Sequence, residues 1–178
     1  MGEDRDAGLA RWARVTPLEG QRLSLEPLRV DHAAEMALVL GDTELHRFTG
    51  GEPATRAELV ETYTRQVAGP ADPTQQWLNW VVRRRADEQP VGTVQATIGR
   101  ADGKFVAEVA WVIGTAHQGR GYAVEAAQLM VSWIRAQGDV RVIAHVHPDH
   151  DASAAVARSV GLVPSDTVVD GEVRWLGG

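Results

Sequence analysis

The sequence predicts an α+β fold of mixed type, in which a central, mostly antiparallel sheet is flanked by helices. Three observations carry this. Three strand-like apolar stretches follow one another between Trp77 and Gly114, with the hairpin signal Asp102-Gly103 before the last of them. A helix-period run occupies Gly121 to Gln137, where Val124, Ala127, Val131 and Ile134 recur at helical spacing. Beyond it, strand and helix patterns alternate up to Asp170-Gly171, the strongest short hairpin signal in the chain. A row of strands bracketed by amphipathic helices is how a sheet gets its faces covered.

Taken in order, residues 1–18 read as an N-terminal arm that docks late or stays loose, with Trp12 and Val15 as its apolar surface, and 19–178 as one domain. Arg22–Leu28 alternates Leu23 and Leu25 and reads as a strand. Asp31 is placed to cap a helix over His32–Leu40, which Gly41 stops. Phe48–Pro53 is a loop; Thr55 opens a second helix that ends before Gly69-Pro70. Strands follow at Trp77–Arg85, Val91–Gly99 and Lys104–Gly114. The long helix over Gly121–Gln137 comes next, with Gly138 as its C′ residue. Val140–His147 is a buried strand, Ala152–Val160 a short helix closed by Gly161, and Thr167–Val169 with Glu172–Leu176 a final hairpin. Arg83, Arg84 and Arg85 read as a solvated strand end, and the six tryptophans mostly as core.

Composition narrows the function. With 178 residues the chain can bury about 70% of its unfolded surface and hold a core without staples. It has no cysteine, which removes disulfides, thiolate metal sites and a cysteine nucleophile. A formal net charge of −6 argues against nucleic acid as a partner, because phosphate neutralisation wants a basic footprint. The opening MGEDRDAGLARWARV lacks an apolar signal region, and no run approaches the ~18 apolar residues of a membrane span. The expectation is a cytoplasmic protein, monomer or homodimer, without membrane or nucleic-acid partners.

The stretch HQGRGYAVEAAQLMVSWI, His117–Ile134, carries the chemistry. It places Gly119, Gly121 and Ala123 where the preceding strand gives way to the long helix. A helix start leaves N–H groups unpaired and carries the positive end of the dipole. Residues without bulk let an anion reach those amides, so the turn reads as a phosphate cradle. It is not a nucleotide P-loop, because Tyr122-Ala123 stands where Lys-Ser/Thr is required, and it fits the dinucleotide fingerprint poorly.

Gln118-Gly119-Arg120-Gly121-Tyr122-Ala123 reads Q-x-x-G-x-A and resembles the coenzyme A pyrophosphate loop of the GNAT N-acetyltransferase superfamily. The resemblance extends over about residues 20–177. AEVAWVIGTAHQGRGYAVEAAQLMVSWI is similar to the family's fourth strand, pyrophosphate loop and third helix, and VHPDHDASAAVARSVGL to its fifth strand end and fourth helix. The ribosomal-protein N-terminal acetyltransferase-like branch is the most similar one. The resemblance implies the GNAT fold, acetyl-CoA as co-substrate and an amine acceptor, joined by direct attack in a ternary complex. It also implies coenzyme contacts from Gln118, Gly119, Arg120, Gly121, Tyr122 and Ala123, and pairing of the pantetheine arm with Val112, Ile113 and Gly114. The rival reading is a non-catalytic coenzyme A-binding module.

Acetyl transfer needs a base for the amine, a stabilised oxyanion and a departing thiolate. Glu108 is the candidate base: strand parity puts it with Val106, Ala110 and Val112, where apolar neighbours would raise its pKa. It is weighed against a strand-edge Glu that only bonds a neighbour. Ser153 matches the family serine that reaches the coenzyme arm or sulfur, weighed against a serine that satisfies helix amides. The chain departs from the family with His150 where Asn is usual and Ala157 where a tyrosine acid is usual. His150, Ser153 or solvent must then protonate the thiolate, or it leaves unassisted. His145, His147, Asp149, His150 and Asp151 also permit a metal site, a reading set below their family positions, which carry none. The acceptor is expected between the Phe48–Pro53 loop, the helix after it and the last hairpin, with Glu44, Glu52, Glu58 and Glu61 nearby.

Overall fold

The computed structural model describes residues 8–12, 14–48 and 50–177. One eight-stranded sheet runs through the molecule in the order β1-β2-β3-β4-β5-β6-β8-β7. The strands are β1 (Leu18–Glu19), β2 (Leu23–Pro27), β3 (Gln76–Arg84), β4 (Gln89–Ala101), β5 (Lys104–Ile113), β6 (Val140–Val146), β7 (Val163–Val169) and β8 (Glu172–Gly177). Helices α1 (Ala33–Val39) and α2 (Arg56–Ala68) separate β2 from β3. Helix α3 (Tyr122–Ala136) crosses from β5 to β6, and α4 (Asp151–Ser159) leads to the last hairpin. All neighbouring strands are antiparallel except β5 and β6. That exception needs a crossover connection, which α3 supplies.

Alternation along the strands divides the molecule into two layers of packing. Leu78, Trp80 and Val82 of β3, Val94 and Ala96 of β4, and Ala107 and Val109 of β5 form the larger core with Ala126, Ala127, Met130 and Ile134 of α3. On the opposite face Val81 packs with Ala33 and Met36 of α1 and Leu59 and Tyr63 of α2. The turns obey the expected chemistry. Asp102 and Gly103 both have positive φ (51° and 77°), as do Asp170 and Gly171 (49° and 86°), which is what a tight hairpin with matching strand twist requires.

Several expectations are corrected. Of the two readings of the N-terminal arm, its described part takes the docked one. Trp12 is fully buried with its ring edge-on to Phe105 at 4.8 Å, and the Trp80 indole donates to the Thr16 carbonyl at 2.8 Å. Asp31 does not cap α1; it lies in a 3₁₀ turn (Val30–His32) and accepts from Arg29. Strand β7 begins at Val163, four residues before the predicted Thr167, because an irregularity between Pro164 and Val168 interrupts its ladder and hides the alternation. The arginine run is solvated only at its end: Arg83 is largely buried and bonds Glu26 and Glu35, Arg84 bonds Asp87, and the exposed Arg85 pairs with Glu19.

The feature that positions everything else is a fork. Strands β5 and β6 pair only from Phe105↔Val140 to Glu108↔Ile143 and then separate. Beyond Glu108, β5 keeps β4 on one side, up to Gly92↔Ile113. Gly92 fixes that far end: a Cβ there would lie 2.1 Å from the Val112 carbonyl oxygen and 2.8 Å from Ile113 Cδ1. Gly92→Ala is expected to lower stability by about 1–3 kcal/mol, as overpacking does, read from urea unfolding. An unchanged midpoint would show that the ladder gives way there freely.

Candidate active site

A cavity of about 790 Å³ occupies the fork. Its walls come from both faces of the sheet. Glu108, Ala110 and Val112 line it from one face of β5, Trp111 and Ile113 from the other; β6 adds His145, with His147 just past its end, and α4 adds Ser153 and Val156. Glu44, Leu45 and Phe48 close the side reached from α1, and Glu172 closes the side of the last hairpin.

The open edge of β5 has a fixed hydrogen-bonding sense. The Gly114 N–H donates to the Val91 carbonyl at 2.9 Å. Alternation in an antiparallel ladder then sends the backbone groups of Trp111 and Ile113 toward the fork and those of Val112 toward Thr93, while the Val109 N–H closes the last bridge to Ile143. Of the three residues expected to pair with an extended ligand, Ile113 presents its backbone to the fork. Val112 contributes a half-exposed side chain to the cavity instead. Gly114 lies outside the lining. It permits close packing, since a Cβ there would sit 2.6 Å from the Val39 carbonyl oxygen. The Ile113 carbonyl is already engaged by the Gln118 side chain at 2.9 Å.

At the other end of the cavity, Gly119 (φ 72°) and Gly121 (φ 75°) both take the left-handed conformation that admits glycine readily. No acceptor among the described residues receives the N–H of Gly119, Arg120 or Gly121. Those of Tyr122 and Ala123 belong to the first turn of α3, where no intrahelical partner exists. The Gln118 amide departs from the expected set by donating to Thr115 O at 3.3 Å. Gln118, Gly119, Gly121, Tyr122 and Ala123 line the cavity, whereas Arg120 does not. A Cβ on Gly119 would meet nothing within 4 Å, so the space in front of this loop is open.

Sequence reasoning missed what braces the loop. Arg22, at the start of β2, donates to the Arg120 carbonyl at 2.8 Å and to Glu125 at 2.8 Å, and its guanidinium lies over the Tyr122 ring. Glu125 in turn accepts the Arg22 and Leu23 amides at 2.7 and 3.1 Å. Burial pushes the Glu125 carboxyl up, but these hydrogen bonds outweigh it and hold the carboxyl below its ordinary range. The partners stand about a hundred residues apart in the chain, and no local pattern marks them.

The expected desolvation of Glu108 is absent. Its side chain is 55% exposed, and its Oε1 lies 3.0 Å from His145 Nδ1. Ser153 accepts a 3.3 Å hydrogen bond from the Trp111 indole, so its own hydroxyl hydrogen is free to turn elsewhere. His150 caps α4, its Nδ1 accepting the Ser153 amide at 3.4 Å, and its ring stacks on Phe48 at 4.3 Å. Burial foremost, then the neighbouring His147, lowers the His150 pKa, with Asp151 opposing. Ala157 is fully buried in the core, so nothing polar replaces the missing tyrosine.

Among the described residues no three His, Cys, Asp or Glu side chains are placed to hold a metal ion. His147 Nδ1 accepts the Asp149 amide at 3.2 Å instead. Of the four glutamates expected near the acceptor, only Glu44 lines the cavity. Glu58 forms a capping box with Thr55, while Glu52 and Glu61 are absent from the lining.

The profile of the acetyltransferase (GNAT) domain matches residues 22–163. The chain belongs to the GNAT acetyltransferase family. No curated protein matches it. Solved structures that share the fold include a GNAT-family acetyltransferase from Bacillus anthracis, 15% identical, covering 90% of this chain and 96% of its own, with a TM-score of 0.72. AAC(6')-Ib, solved with paromomycin and acetyl-CoA, is 15% identical over 88% and 92% of the two chains, with a TM-score of 0.72. RimL, a ribosomal L7/L12 α-N-protein acetyltransferase solved with coenzyme A, is 12% identical over 90% and 97%, with a TM-score of 0.71. At these identities the GNAT neighbours speak for the fold alone. No helix among the described residues is long and apolar enough to cross a membrane.

Proposed function

We propose that this GNAT protein is an acetyl-CoA-dependent N-acetyltransferase that joins donor and acceptor in the fork between β5 and β6, without a covalent acyl-enzyme. One observation carries the reading. A single cavity runs through the sheet from the glycine loop of α3 to the Glu44–Phe48 segment and the last hairpin, with Glu108 at the last β5–β6 pair. Two reactants entering from opposite faces would meet beside that carboxylate, and holding them together supplies much of the rate.

The loop fits a diphosphate, since backbone donors without partners face open space there. When bound, acetyl-CoA supplies the acetyl group as a thioester. The Trp111 and Ile113 amides on the open edge are the donors available to a carbonyl oxygen that gains charge. Glu108 accepts the amine proton. His150, kept neutral by burial, serves as a cap and not as a cationic acid. The Ser153 hydroxyl is the donor left for the departing sulfur, whose modest basicity asks little of it. Glu44 and Glu172, with Glu108, give the acceptor side an acidic lining suited to a cationic amine; a small-molecule amine and a protein N-terminus both satisfy it.

Thiol release from acetyl-CoA across a broad amine panel tests the reading. Turnover with at least one primary amine is expected. Coenzyme A binding with no turnover on any amine would leave a binding module in its place. The loop carries a separate prediction. An alanine at Gly121 disfavours the left-handed conformation by about 1–2 kcal/mol, and binding must restore it. Gly121→Ala should therefore raise the coenzyme A Kd about tenfold by calorimetry; an unchanged Kd would remove the loop from the site.

A further inference from the structure

Three side chains on neighbouring strands form a chain of hydrogen bonds that leads to Glu108. Glu108 on β5 is paired with Ile143 on β6, and His145 stands two residues further along the same face. His145 is directly opposite Arg174 on β8. The Arg174 Nε–H donates to His145 Nε2 at 3.2 Å, and His145 Nδ1 lies 3.0 Å from Glu108 Oε1. The His145 side chain is only 15% exposed, so its ring is held between the two.

The direction of these bonds is dictated by chemistry. A guanidinium has donors and no acceptor, so Nε2 must offer its lone pair to Arg174. The ring hydrogen then resides on Nδ1 and points at Glu108, which must receive it as an acceptor. Oε1 is thereby occupied, and Oε2 makes no hydrogen bond to any described residue. A proton cannot pass along the chain, because Arg174 blocks the far nitrogen.

We propose that Arg174 and His145 are positioning residues: Arg174 selects the His145 tautomer, and His145 pins one oxygen of Glu108 so that the other is presented to the amine. His145 is on this view a fixed donor and not a proton shuttle, and a proton taken by Oε2 leaves through the exposed side of Glu108. The inference rests on the reading of Glu108 as the base. The residues that share the surroundings, Glu172 on β8 and His147 just past β6, line the same cavity but make no hydrogen bond with the three.

The full-length chain can be tested with long-range nitrogen–proton NMR of its histidine rings, assigning His145 from the signals lost in His145→Asn. The expected wild-type ring carries hydrogen on Nδ1 and none on Nε2; in Arg174→Met, where the Glu108 carboxylate alone still favours hydrogen on Nδ1, a share of the Nε2 form appears. Arg174→Met and His145→Leu should each lower kcat by about tenfold to a hundredfold, the cost of a misplaced group, with the KM for acetyl-CoA unchanged. His145→Asn, whose side-chain amide nitrogen occupies the place of Nδ1, should recover most of that loss. A wild-type ring with hydrogen on Nε2 overturns the inference whatever the activity. So does a wild-type kcat in Arg174→Met and His145→Leu while Glu108→Gln is inactive, which leaves the base intact. Full activity of Glu108→Gln removes the base and the inference together.

Discussion

Glu108→Gln is expected to lower kcat by about 10²–10⁴-fold, the contribution of a positioned general base, and to leave acetyl-CoA affinity unchanged. The substitution is isosteric, so a loss would report proton chemistry and not packing. The glutamine carbonyl still accepts from His145 Nδ1, where Glu108 Oε1 now lies at 3.0 Å. Its amide nitrogen then takes the place of Oε2, and a donor faces the amine where an acceptor stood. The side chain is half-exposed, so stability should hardly change. The glycine loop lies at the far end of β5 and touches none of these atoms, so base and proposed coenzyme site should separate. Thiol release with the best amine of the panel gives kcat, and calorimetry with acetyl-CoA gives the affinity. A variant with wild-type turnover would move the base elsewhere in the cavity; one that no longer bound acetyl-CoA would show that the two ends of the fork are not independent.

What could be read from the sequence was local. Asp102-Gly103 and Asp170-Gly171 announce turns because positive φ at consecutive positions leaves few residue choices. Gly119 and Gly121 announce a bare helix start for the same reason. Strand parity placed Glu108 on a face with Ala110 and Val112, and that face does line the cavity. Parity could not say what stands across from the face. The expectation of an apolar setting for Glu108 failed because its partner is His145, 37 residues away and brought near only by the parallel β5–β6 pairing. The same holds for Val112: the family resemblance, carried over by position, included it among the pairing residues, but only the register against β4 tells which amides face outward. Trp12 could be read only as apolar surface on a short arm, which carries no period to place it, and it fills the core beside Phe105.

The arginine run gives the sharpest case, because Arg83 is bonded across three elements. It reaches Glu26 on β2 and Glu35 on α1, tying the helix that leads into the Glu44–Phe48 segment to the edge of the sheet. Its side chain is 14% exposed, and Glu26 also bonds Arg29. Burial pushes the Glu26 carboxyl up, but the hydrogen bonds from Arg83 and Arg29 prevail and bring it down to about 2. A carboxyl depressed in the folded state adds stability above its unfolded value near 4.5, and that stability drains away as pH falls toward 2. Arg83→Met keeps the apolar stem, strands the Glu35 carboxylate and leaves Glu26 to Arg29. Breaking such a pair when buried costs about 3–5 kcal/mol, and partial exposure of both glutamates brings the expected loss at pH 7 to about 2–3 kcal/mol. The variant should then differ from wild type most at neutral pH and converge with it as pH drops from 4.5 to 2, since protonation relieves the variant while it robs the wild type. Urea midpoints at stepped pH decide this. A difference that stayed constant down to pH 2 would mean that Arg83 stabilises the chain through its stem and not through its charge.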